Sequence, residues 1–390
     1  MNGVSNLALE RESRVGNIAF IDLKAQQKVI RERVEKRLIA VLDHGRYIAG
    51  PEIDELEEIL EEKTGAKHVI ACSNGTDALI IPMMALNLTR EDAVFIPGFT
   101  YNATANAVLI AGGTPVFVDI DPNTFNMSTT DLITKIEEVK LQGKLKPRVI
   151  CAVDLFGSPA DYNAINSIAE AEDMIVFGDG AQSFGGKLDG KWVGNLAPVT
   201  GTSFFPGKAL GAYGDAGATL VRDDDELAKI CESIRWHGTD EQRRESVRVG
   251  MNGRMSTFMA AVLLEKVAIF YDELEARHRI ANIYNERLAD IARPQQHVEG
   301  AESGYGYYTI AIDNRDAVRE KAGEAGVPTA IYYMQPLHTM KAFEAYAPEG
   351  GLPNCEKAAN EVLSLPMHPY LTEEQAHFIC DVMQAAVKEV

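Results

Sequence analysis

The chain has 390 residues, 46% of them apolar and 24% charged, the balance of an ordinary folded enzyme rather than a disordered or fibrous chain. Its 38 basic and 57 acidic side chains leave a net charge of −19, a field that repels nucleic-acid backbones and acidic lipid headgroups. No apolar run approaches the ~20 residues of a bilayer span, so no membrane crossing is expected.

Residues 1–15 lack the basic start and apolar centre of a secretory signal and read as a short polar tail. From Ala25 to Leu42, Val29, Ile30, Val34, Leu38, Val41 and Leu42 recur at helical spacing, and Gly45 supplies the stop. A second helix starts at Pro51, carries Ile53, Leu56, Ile59 and Leu60, and ends near Gly65. β-rich runs at His68–Cys72, Ala93–Ile96, Pro115–Val118, Arg148–Val153 and Met174–Phe177 then alternate with helical segments Asp77–Leu86, Ala103–Ala111, Thr130–Val139 and Ala160–Ala171. That alternation predicts an α/β fold, a mostly parallel sheet covered on both faces, with functional groups in loops at the C-terminal strand ends. A long helical stretch from Ser256 to about Ala289 leaves this layer. Strand-like Tyr307–Ile312 and helical Asp316–Ala325 then begin a different alternation, which places a domain boundary near residue 275. The expected division is a tail (1–15), a large domain (16–275) and a small α+β domain (276–390). Five cysteines without a Cys-x-x-Cys pair read as free thiols in a reducing cytoplasm. Eight histidines without paired ligand spacing give no metal site.

Three segments carry candidate chemistry. Ser73-Asn-Gly-Thr-Asp-Ala78 follows a strand and opens a helix, where backbone N–H groups can face a phosphate; a merely capped helix start is the plainer alternative. Asp179 ends the apolar run Met174-Ile-Val-Phe-Gly, where a carboxylate needs a cation or donors; capping the next turn is its plain alternative. Lys208 sits in Ser203-Phe-Phe-Pro-Gly-Lys-Ala-Leu-Gly211, a loop with no other charge. Dry surroundings can turn such an amine into a nucleophile and base, though most lysines are solvated.

Taken together, with Lys208 lying 208 − 179 = 29 residues beyond Asp179, the three segments resemble fold-type I pyridoxal phosphate (PLP) enzymes, specifically DegT/StrS-type sugar aminotransferases. The resemblance spans Ile18 to Leu371 and includes Asn74-Gly-Thr-Asp-Ala-Leu, Pro97-Gly-Phe-Thr-Tyr, Asp179-Gly-Ala-Gln-Ser-Phe-Gly and Tyr213-Gly-Asp-Ala-Gly-Ala. Gly178-Asp-Gly-Ala-Gln stands where the family usually has Glu-Asp-Ala-Ala-Gln, which keeps the acid and Gln182.

The resemblance implies the fold-type I architecture, PLP as cofactor with pyridoxamine phosphate as its alternate form, and Lys208 as the Schiff-base lysine. It implies that Asp179 meets the pyridine nitrogen, Gln182 faces the phenolic oxygen and Tyr101 lies on the ring. Gly75, Thr76 and Ser203 would hold the phosphate, and Asn252 would reach the phosphate in a neighbouring subunit, hence a homodimer with composite sites. Arg254, Tyr332, Tyr333 and His338 would border the substrate. The implied activity is amino transfer from an amino acid, L-glutamate, to a keto-sugar nucleotide, most like C3 amination of UDP-2-acetamido-3-keto-glucuronate. Tyr332-Tyr333 replaces an expected His-Tyr pair and Tyr307 an expected Gln. The alternatives are 3- or 4-amination of a 6-deoxy-keto sugar on UDP, dTDP or GDP, a related dehydratase, in which a His would replace Lys208, and a non-catalytic regulator of the same fold.

Overall fold

The computed structural model describes residues 3–390. Its centre is a seven-stranded sheet in the spatial order His68–Cys72, Gly217–Val221, Val199–Ser203, Ile175–Asp179, Lys146–Val153, Asp92–Pro97 and Thr114–Val118. All pairings are parallel except the two made by Gly217–Val221, which runs against both neighbours. The remaining six strands therefore end on one edge.

Alternating side chains point to opposite faces of a strand, and two cores result. Val149, Cys151 and Val153 join one core with Leu79 and Ile81 of helix Gly75–Ala85 and Ile234 of helix Asp225–Arg235. Ile150 and Ala152 join the opposite core with Leu132 and Ile136 of helix Thr129–Gln142 and Ile165 of helix Tyr162–Ala171. On that second face, towards the His68–Cys72 edge, helices Pro51–Thr64 and Thr257–Val267 cover Val69 and Ala71. The three layers expected from the α/β alternation are present.

Gly45 and Gly65 stop their helices at φ 70° and 76°, a left-handed conformation that costs glycine little. The helix Leu23–His44 buries only part of its predicted stripe: Ile30, Val34 and Val41 are covered, whereas Val29 and Leu42 are exposed. The long helical stretch is two helices, Thr257–Val267 and Phe270–Leu288, broken at Ala268 and Ile269.

Residues 4–14 differ from the expected polar tail. They form helix Val4–Arg14, which buries Val4 and Leu7 beside helices Arg315–Glu324 and Glu373–Glu389. The Val4 N–H donates to Glu389 Oε1 at 2.8 Å. Two apolar side chains one turn apart suffice once a distant surface receives them, and a local reading cannot see that surface. This core also holds the antiparallel sheet Arg293–Pro294, Tyr308–Ala311 and Val362–Leu365 and the helix Phe270–Leu288, which runs through residue 275. Among the described residues no helix is long and apolar enough to cross a membrane. All five cysteines are free and buried.

Candidate active site

A cavity of about 480 Å³ opens at the C-terminal strand edge. Of the residues singled out from sequence, Gly75, Thr76, Tyr101, Asp179, Gln182, Ser203, Lys208, Tyr332 and Tyr333 all line it. Topology explains the convergence, since Asp179 and Ser203 are the last residues of neighbouring parallel strands and Gly75 lies three residues beyond Cys72.

The end of the cavity at the start of helix Gly75–Ala85 is built by close packing. Asn74 caps helix Gly75–Ala85 by accepting the Asp77 N–H at 2.8 Å, and Asp77 in turn accepts from the Asn74 amide and the Ser73 hydroxyl. This fixes the loop with Asn74, Gly75 and Thr76 lining the cavity beside Ser203, at a helix start whose first N–H groups have no carbonyl partner within the helix. A Cβ on Gly75 would stand 2.5 Å from Ser203 Cβ. Gly75→Ala is therefore expected to lower stability by about 1–3 kcal/mol through overpacking. It should also weaken PLP binding; thermal unfolding and a cofactor titration measure the two effects.

At the other end, Asp179 is 4% exposed. Its Oδ1 accepts the Ala181 N–H at 3.2 Å and its Oδ2 the Thr104 hydroxyl at 2.7 Å. Burial raises its pKa, opposed by these two donors and by Lys208. Burial lowers the Lys208 amine to about 8, against the pull of Asp179. The Lys208 amine also lies 5.6 Å from the centre of the Tyr307 ring. Gln182 is held at both ends, its Oε1 accepting the Phe156 N–H at 2.7 Å and its Nε2 donating to the Tyr333 hydroxyl at 2.8 Å. Tyr101 is exposed, tilted against Tyr333 with ring centres 6.0 Å apart.

The remaining three candidates lie off this wall. Asn252 and Arg254 are paired with each other, Arg254 Nε and Nη2 donating to Asn252 Oδ1 at 2.9 and 2.6 Å. His338 is buried beside Phe117; its Nε2 is 3.1 Å from Glu356 Oε1 and its Nδ1 has no partner. Sequence reasoning missed Thr104 and Asp215. Thr104 sits inside a helical segment 75 residues from Asp179, and nothing local marks the contact. Asp215, exposed at the cavity mouth, lies within the quoted Tyr213-Gly-Asp motif, the one signal available.

A dry carboxylate and an amine of lowered pKa share one cavity, with a tight helix start beside them. That donor set fits PLP: a ring nitrogen on Asp179, an aldehyde carbon on Lys208, a phosphate at Gly75–Thr76.

The profile of the DegT/DnrJ/EryC1/StrS aminotransferase family matches residues 28–384. The chain belongs to that family. It is an aminotransferase, and PLP is its cofactor. The chain is 44% identical over 366 residues to the UDP-2-acetamido-2-deoxy-3-oxo-D-glucuronate aminotransferase of Pseudomonas aeruginosa, covering 93% of this chain and 98% of that one. A crystal structure of a DegT DnrJ EryC1 StrS aminotransferase from Brucella abortus superposes with TM-score 0.92 at 45% identity, over 94% of this chain and 99% of that one. NtdA from Bacillus subtilis with bound cofactor PMP gives TM-score 0.84 at 28% identity, over 95% and 83%.

The free-amine fraction of a group titrating near 8 grows about tenfold between pH 7 and pH 9 and then saturates, whereas an ordinary lysine is still almost fully protonated at pH 9. Labelling of the cofactor-free protein with an amine-selective reagent should therefore rise at Lys208 with a midpoint near pH 8, read by mass spectrometry of the peptide.

Proposed function

We propose that this aminotransferase moves an amino group from L-glutamate to a keto sugar carried on a nucleotide, at C3 of a UDP-2-acetamido-3-keto-glucuronate-like sugar. The observation that carries the reading is Lys208 and Asp179 sharing one buried cavity, in a chain 44% identical to the Pseudomonas enzyme. The intact Lys208 also disfavours a dehydratase or a regulator.

When bound, PLP supplies an aldehyde that joins amines and a ring that withdraws electron density. The chain's own residues do the rest. Asp179 keeps a proton on the ring nitrogen, because a buried carboxylate is strongly stabilised by a facing cation. Lys208 Nζ would anchor the cofactor; as a free amine it would take the proton from the donor's Cα in the first half-reaction and supply one to the accepting sugar carbon in the second. An amine titrating near 8 can do both at neutral pH. Gln182 holds the ring's oxygen edge, Tyr101 covers its face, and Gly75, Thr76 and Ser203 hold the phosphate.

A homodimer supports this chemistry. The cavity wall carries Lys208 against Asp179 and Asp215, one cation against two acids, which is poor ground for a phosphorylated cofactor and a diphosphate substrate. A second copy placing Asn252 and Arg254 at the cavity corrects that deficit. Exposed Val29, Ile39, Leu42, Tyr47, Val247 and Val249 give it apolar surface to cover. We place the protein in the cytoplasm, where its free thiols persist.

A second reading, amination of a 6-deoxy-keto sugar, is favoured by one observation: this copy's cavity wall has no arginine to meet a C6 carboxylate, and its substrate side holds Tyr307, Tyr332 and Tyr333. Incubating the holoenzyme with glutamate and a panel of keto-sugar nucleotides, with products identified by mass spectrometry, decides between them. No amino sugar from any member would refute the function.

A further inference from the structure

The segment beyond helix Asp225–Arg235 loops outward and returns antiparallel to itself, with Trp236 bridged to Asn252 and Arg254 bridged to Cys72. The Gly253 carbonyl accepts the Ser73 N–H at 2.9 Å, which ties this return to the first residue of the phosphate loop. Side chains two apart on extended backbone share a side. Asn252 and Arg254 do so, and their hydrogen bonds leave other N–H groups of the guanidinium uncommitted.

Two guanidiniums lie over the Trp236 indole, that of Arg243 at 3.5 Å from the ring centre and that of Arg254 at 4.7 Å. Each such contact is worth about 0.5–1 kcal/mol at an exposed site. The arrangement gathers two like charges, which repel. Among the described residues neither guanidinium pairs with a carboxylate within 4.0 Å. The acids of the same loop are turned to other uses or to solvent: Asp240 accepts the Arg244 and Glu245 N–H groups, and Glu241 and Glu245 are exposed. In a chain carrying −19, two arginines stacked on one ring without an acid are arranged for an anion that comes from outside.

We propose that Trp236 is a positioning residue that holds Arg243 and Arg254 as a paired cation for an oxyanion of the nucleotide-linked substrate, either its diphosphate or a carboxylate on its sugar. The proposal rests on the nucleotide-sugar reading and adds to it Trp236 and Arg243, neither of which lines the cavity of its own copy. The ring sets the spacing and orientation of the two forks; the forks meet the oxygens.

The test uses holoenzyme carrying Trp236→Ala, Trp236→Phe or Arg243→Ala, with UDP-glucose and UDP-glucuronate as probes in calorimetric titrations. Trp236→Ala and Arg243→Ala should each weaken binding by about 5- to 10-fold, the loss of one or two such contacts. Trp236→Phe, which keeps an aromatic face, should recover most of it. In turnover, KM for the sugar nucleotide should rise more than KM for glutamate. A loss shared by both probes assigns the pair to the diphosphate, and a loss confined to UDP-glucuronate assigns it to the carboxylate; either supports the proposal. Unchanged affinity for both probes in folded Trp236→Ala or Arg243→Ala protein overturns it. Wild-type protein that binds neither probe, yet reacts with glutamate, overturns the nucleotide-sugar reading itself.

Discussion

Lys208→Ala should be folded, should bind PLP without a covalent link, and should turn over about 10⁴-fold more slowly than the wild type, the upper end of the range for losing a positioned proton carrier. The size of the effect follows from what else the cavity holds. Apart from Lys208, its ionisable lining consists of acids, Asp179 and Asp215, and phenols, Tyr101, Tyr307, Tyr332 and Tyr333. Burial holds the Tyr307 and Tyr333 hydroxyls well above their usual titration range, so at neutral pH they stay protonated and cannot serve as the base that takes a proton from carbon. No other cavity amine can replace Nζ. Added small amines should restore part of the rate, because the variant leaves a space where the side chain stood. Stopped-flow measurement of the glutamate half-reaction, with borohydride trapping as the check on covalency, reads both points. Near-normal turnover in this variant would end the assignment.

The parts of the site that sequence made legible are those set by chain-local rules. An acid at the end of an apolar run, a hydroxyl at the end of the next, and a capped helix start after a third all fall on one edge once the sheet is parallel. The strand-end place of Asp179 and the helix-start place of Gly75 follow from that single inference about fold class, whereas a phosphate-holding role for Gly75 and Ser203 comes only from the family resemblance. Lys208 did not follow from it, and only its place among the family motifs set it apart from other lysines. What escaped was determined across long sequence distances. Thr104 reaches Asp179 from within a helix where nothing local marks the contact, and the burial of Val4 and Leu7 depends on surfaces more than 300 residues away. Gly217–Val221 went unread as a strand because its antiparallel insertion between two parallel neighbours breaks the alternation that revealed the others. A Cβ on Gly217 would stand 2.5 Å from the Asn74 carbonyl oxygen, so this unexpected strand also sets the position of the phosphate loop.

Asp179→Asn should still fold, since the amide keeps nearly the same shape and its oxygen can accept the Thr104 hydroxyl, while its NH2 group loses the bond from the Ala181 N–H. Its kcat/KM is expected to fall roughly 100- to 1000-fold, as when one preorganised electrostatic partner is removed. The reasoning turns on charge and not on contact. In the wild type the carboxylate is 4% exposed, and burial alone would favour its protonated form. Thr104, the Ala181 N–H and Lys208 oppose that effect. A protonated ring nitrogen facing Asp179, as proposed, would add further opposition, so binding and ionisation would reinforce each other: the carboxylate would keep the nitrogen protonated, and the protonated nitrogen would keep the carboxylate charged. The Asn side chain has no charge to offer, and the cofactor should bind with its nitrogen unprotonated and its power to withdraw electrons reduced. The consequence is a split that a packing defect would not produce. Cofactor affinity, measured by equilibrium dialysis, should fall less than the rate of proton transfer from glutamate, measured in a single half-reaction. Thr104→Val serves as the graded companion: it removes one donor and leaves the charge, so its loss should be smaller and of the same kind. Equal losses in affinity and rate for Asp179→Asn would show that the acid serves only to anchor the ring.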